Sequence, residues 1–220
     1  MMLRSVLLLC GVLSSLLCVG TDVLAALRFG EYQSFSAQTI SELMSPGAPT
    51  KPLVDPLFMS CVALIIPFAV GVWMSARDNR ALRMSATLLV ALALAALPGL
   101  WLFPMRLRGT NAVEEGVPHA AVVSVLLMII VASIRFGASA LGRWFRLYSF
   151  ATMVAILVLA AVVGVEATAL AAGRPTPWIG FAERADVGLF LLWGTVLAIA
   201  LIRAQRSGAT PTAVASVAAS

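Results

Sequence analysis

Long uncharged stretches, bounded by charged residues, dominate the chain. A helix needs about 20 apolar residues to cross a bilayer, and six stretches reach or approach that length. The first is uncharged between Arg4 and Asp22 and resumes from Val23 to Leu27. The second runs from Pro56 to Ala76 and the third from Met84 to Met105. The fourth follows His119 and ends before Arg135. The fifth runs from Leu147 to Val165, meets Glu166 and continues to Gly173. The sixth lies between Asp186 and Arg203 and draws on residues from about Ala182. These stretches are continuous, whereas the strands of a membrane barrel alternate over about ten residues. The pattern predicts an all-α polytopic membrane protein, six transmembrane helices in a single bundle. The helices are expected at about 3–27, 56–77, 83–104, 117–136, 145–172 and 182–203, within a domain over 1–204. Residues 205–220, rich in Ala, Ser and Thr, are expected to form a disordered tail. The first stretch begins like a signal peptide, but it is too long for a typical h-region and is read as a retained helix.

Composition strengthens this. Of the 220 residues, 61% are apolar and 11% charged, and mean hydropathy is +1.00. Soluble domains are about a quarter charged, and disordered chains are poor in apolar residues, so both classes are excluded. The net charge of +5 does not point to nucleic acid, because the Arg residues sit at the edges of apolar runs. That placement suits an anionic leaflet, and membrane lipids are the expected partners; a protein partner is not specified. Nine basic residues fall on the side holding both termini and six on the other. Positive charge favours the cytoplasm, so both termini are expected there, in a multi-pass protein of the inner membrane. Nine of the ten acidic residues fall on the opposite, outer side or near it. Trp73 and Trp144 lie near inner boundaries and Trp101 and Trp178 near outer ones, as interfacial rings do. Cys10 and Cys18, about 12 Å apart along one helix, are too distant to bridge.

Motifs for known chemistry are absent. There is no phosphate-binding loop, no H-E-x-x-H and no G-x-S-x-G. The single histidine, His119, excludes bis-His haem and a three-His zinc site, and no metal or cofactor is expected. Ionisable groups at membrane depth are the informative residues, since such charge usually faces a bundle interior. Asp22 lies about 9 Å inward of Arg28, and Glu166 about 12 Å inward of Arg174. Glu183, Arg184 and Asp186 open the last helix. The two acids gain there from the helix dipole, but the cation does not. Arg184 is therefore expected to pair with Glu166 or Asp22, and the short connection between the last two helices favours Glu166. The first outer loop carries Thr39-Ile40-Ser41-Glu42, which fits a capping box, then the turn signal Ser45-Pro46-Gly47-Ala48-Pro49. Together these place Asp22, Glu42, His119, Glu166, Glu183 and Arg184 in one outer third, as a candidate polar site.

The chain resembles a bacterial and archaeal six-span family known only as domain of unknown function 998. The resemblance runs from about Leu7 to Arg203. It rests on Thr39-Ile40-Ser41-Glu42-Leu43 with Ser45-Pro46-Gly47-Ala48-Pro49, and on His119-Ala120, Tyr148-Ser149 and Glu183-Arg184. The family often has Gly after the His, where this chain has Ala120. The resemblance implies a six-helix inner-membrane domain and supplies no activity. Four readings follow from the residues. The leading one is binding or handling of a lipid-like molecule through an outward-facing polar pocket. The second is a membrane-embedded hydrolase, with His119 as base oriented by Glu42 or Glu183. The others are a proton-coupled carrier using Asp22 and Glu166, and a structural helical subunit of a larger membrane complex. The sequence leaves open whether the protein is an enzyme.

Overall fold

The computed structural model describes residues 2–30, 34–106 and 112–206, of which 112–116 as backbone only. The tail expected beyond α7 lies outside the described residues from 207 onward. The described residues form seven helices and no strand. They are α1 (Met2–Arg28), α2 (Ile40–Leu43), α3 (Lys51–Ser75), α4 (Arg80–Leu102), α5 (Ala112–Gly137), α6 (Arg143–Ala171) and α7 (Ile179–Arg206). All but α2 are long and apolar enough to cross a membrane.

Local chemistry sets the helix ends. The Asn79 side chain accepts the Leu82 N–H at 3.0 Å and caps α4. At the end of α6, Gly173 takes a φ of +68°, which only a residue without Cβ adopts cheaply. There Gly173 N–H donates to the Leu170 carbonyl and Arg174 N–H to that of Ala169, closing a Schellman turn. α7 begins at Ile179, soon after Pro175 and Pro177, so Glu183, Arg184 and Asp186 lie in its second and third turns. The expectation that these residues open the helix is corrected accordingly. The macrodipole acts mainly on the first turn, so it explains neither acid.

The long helices close into a ring in the order α1, α3, α4, α5, α6, α7, with α7 returning to α1 and also touching α3. Small residues allow the closest approaches, as in membrane bundles generally. A Cβ at Gly71 would meet the Leu8 nitrogen at 2.9 Å, and one at Gly137 the Trp193 ring at 2.6 Å. The main core sits in the half of the bundle that carries Met2 and Arg206. Leu82, Leu89, Ile134, Ile156, Trp193, Leu197 and Leu201 are fully enclosed there. Trp193 stacks with Phe190 and donates its indole N–H to Ser149 Oγ at 3.0 Å, satisfying the one polar group of a buried indole.

The other half, here called the loop end, is packed unevenly. Ala25, Leu43, Met44 and Val54 join α1, α2 and α3, and Val62, Ala93 and Ala96 join α3 to α4. By contrast no residue of α5 between 117 and 132 is buried, and none of α6 between 157 and 171. On α7, residues 183–191 are only partly buried.

Candidate functional site

The polar residues of the loop end are built around the segment 34–50. Its centre is the short helix α2, whose first N–H groups have no partner within so brief a helix. Thr39 and Glu42 form the capping box expected from the sequence. Glu42 N–H donates to Thr39 Oγ1 at 3.1 Å, and Thr39 N–H donates to Glu42 Oε2 at 2.8 Å. Glu42 is 1% exposed, so its carboxylate is sealed beneath the loop. A second acid comes from α7. Glu183 accepts the next N–H of α2, that of Ile40, and the Ser41 hydroxyl at 3.0 Å.

Arg184, beside it, faces α1. Its Nε donates to Asp22 Oδ2 at 2.8 Å and Nη2 to Asp22 Oδ1 at 3.0 Å, a two-pronged pair with specific geometry. Nη1 donates to the carbonyls of Gln38 at 2.6 Å and Phe35 at 3.0 Å. The guanidinium also lies 4.4 Å from the centre of the Phe35 ring, within cation–π range. One turn earlier the backbone of α7 joins in, Gly180 N–H donating to the Ser36 carbonyl at 2.8 Å. A Cβ at Gly180 would run into the Gln38 carbonyl, so the loop and α7 touch backbone to backbone. The sequence Gly180-Phe181-Ala182-Glu183-Arg184 thus forms a clasp that pins the 34–50 segment onto α1 and α7.

The six residues expected to share one site are distributed as follows. Asp22, Glu42, Glu183 and Arg184 meet in this clasp. Glu166 stands apart on α6, where its Oε2 accepts the Trp178 N–H at 3.0 Å and ties down the α6–α7 connection. The expected preference of Arg184 for Glu166 is therefore corrected: its carboxylate is Asp22. The reason is angular. Arg184 lies one turn beyond Gly180, on the side of α7 that meets α1 and the loop, while Glu166 is turned toward the connection. His119 is separate again, its Nδ1 2.8 Å from the Phe103 carbonyl. A carbonyl only accepts, so Nδ1 carries the proton. Neither Glu42 nor Glu183 orients His119, because both are turned to α2. Among the described residues no group of three or more His, Cys, Asp or Glu side chains is arranged to hold a metal ion.

One residue was left out of the expected set. Asp186 lies seven residues, two turns, before Trp193 and so shares its interior face of α7. Its Oδ1 is buried with no hydrogen-bond partner among the described residues. A first-turn acid needs no further account, and that reading hid it; its true place, in the third turn, was the missing signal. A small cavity of about 20 Å³, room for about one water molecule, lies between α1, α3, α4 and α7. Gly11, Ser14, Phe68, Leu89 and Gly194 contribute to its lining.

Six apolar helices, closed in a ring and clasped at one end, define a polytopic helical membrane protein. The chain belongs to the family described as protein of unknown function DUF998, whose model matches residues 12–200. Neither a curated protein nor a solved structure matches it.

Proposed function

We propose that the protein binds a lipid-like molecule in the loop-end half of the bundle, entering from the membrane between α5 and α6. One observation carries this reading. The half bearing Met2 and Arg206 closes on a buried core around Trp193, yet over 117–132 and 157–171 neither α5 nor α6 buries a residue. The interior face of α7 opposite them is only partly covered. Hydrocarbon left uncovered inside a bundle is filled by acyl chains when it opens to the bilayer, as no water competes there. On this reading the clasp residues hold a wall of the site, and the ligand does not touch them. With both termini in the cytoplasm, as the basic residues favour, the site opens to the outer leaflet of the cell membrane. The alternative reading as a hydrolase loses the carboxylate that would orient His119.

Native mass spectrometry of the detergent-purified protein tests the proposal. A co-purified lipid is expected, and Ala160→Trp should lower its occupancy severalfold. Ala160 is partly buried and lies one turn beyond Ile156 on the same face of α6. No bound lipid, or equal occupancy in the variant, would overturn the reading.

A further inference from the structure

We propose that Asp186 recognises the headgroup in this site and that it takes a primary ammonium group, that of an amino-bearing lipid. The inference rests on the lipid-binding reading above and adds the class of ligand. Three observations support it. First, Oδ1 of Asp186 is buried without a donor among the described residues. A buried acceptor left unpaired is costly, and an ionised carboxylate can only accept. Second, the cation nearest in sequence, Arg184, is already bound to Asp22 and to the Phe35 and Gln38 carbonyls. It lies on the α1 side of α7, away from the face that Asp186 shares with Trp193.

Third, the depth suits a headgroup. The 28 residues of α7 span about 42 Å, close to the full bilayer with its polar layers. Asp186 is the eighth residue of that helix, about 10 Å from its loop end, just below the headgroup layer. A lipid whose chains fill the uncovered half of the bundle would bring its headgroup to that level. A primary ammonium offers three N–H donors and a positive charge, whereas a trimethylammonium offers the charge without a donor. A glycerol headgroup offers neutral hydroxyls beside a phosphate that the carboxylate repels. Charge-assisted hydrogen bonds are roughly twice as strong as neutral ones, so the three headgroups should be separable.

The experiment reads bound lipid by native mass spectrometry. Purified full-length protein is exchanged with micelles doped equally with phosphatidylethanolamine, phosphatidylcholine and phosphatidylglycerol of matched chains. Phosphatidylethanolamine should be favoured by about tenfold, the worth of one charge-assisted hydrogen bond. Asp186→Asn, nearly the same in shape, should abolish the preference while still binding lipid, and Asp186→Glu should keep part of it. Free ethanolamine at equal concentration should not compete, because it lacks the chains; full competition would make this a site for small amines instead and overturn the proposal. Lipid binding without headgroup preference, or a preference that survives Asp186→Asn, overturns the role of Asp186 and leaves the lipid site standing. Absence of any bound lipid removes both.

Discussion

Arg184 carries five N–H donors, and the structure places acceptors of three kinds around them: a carboxylate from α1, carbonyls from the loop and the Gly180 carbonyl of its own helix. Removing one member of a buried pair leaves the other uncompensated, at about 3–5 kcal/mol. Arg184→Ala and Asp22→Asn should each lower the melting temperature in detergent. A double-mutant cycle should show the combined change costing less than the sum; simple additivity would mean that the pair seen here contributes nothing. Glu166→Gln should show no such coupling to Arg184. Both acids were legible in the sequence as expensive charges at membrane depth, and so was the need of Arg184 for one of them. The choice between them was not, because it depends on which side of α7 meets α1. Asp186 was misread for a related reason. Its neighbours suggested a helix start, and only the true start at Ile179 moves it out of the reach of the dipole.

Among the elements, the six long helices were the most legible feature, since each follows from an apolar run that no soluble fold could bury. The capping box was legible too, because Thr39 and Glu42 stand at the spacing that lets each side chain reach the backbone of the other. The docking of α2 onto α7 was hidden. Nothing local marks Glu183 as the acceptor for the Ile40 N–H, a contact made across 143 residues. The glycine that permits it also looks ordinary in sequence. Gly180→Ala should be more disruptive than an alanine in a helix usually is, because alanine normally favours helix by about 1 kcal/mol over glycine. Here the added methyl meets the Gln38 carbonyl, so the loop must lift from α7. Limited proteolysis within 34–50 should then accelerate, with α7 itself unchanged by circular dichroism. A loop as resistant as in the parent protein would show that the backbone contact is not needed. Glu183→Gln should act in the same direction and more weakly, since an amide oxygen still accepts one of the two donors.

At the scale of the whole molecule, the bundle has a finished half and an unfinished one, and the charges divide along the same axis. Arg4, Arg77, Arg80, Arg83, Arg135, Arg143, Arg146, Arg203 and Arg206 mark the end bearing both termini. Asp22, Glu42, Asp55, Glu166, Glu183 and Asp186 mark the loop end. Basic residues in short loops resist translocation, whereas acidic ones orient a chain only weakly. The excess of nine basic residues against six is small, but it gathers in and beside the two tight connections, with Arg77 between α3 and α4 and five others in the helix turns that flank 76–79 and 138–142. Short loops are where such charge acts most strongly. A reporter active only outside the cytoplasm should therefore be silent when fused after Arg206 and active when inserted near Pro49, whose loop is the long one. Adding two Arg residues beside Pro49 should weaken that signal by working against the bias, whereas adding two Glu residues should not. The reverse pattern of fusions would turn the molecule over in the membrane. The lipid site would then face the cytoplasmic leaflet, with the clasp, the ring order and Asp186 unchanged, so this measurement decides which leaflet supplies the ligand independently of whether the site exists.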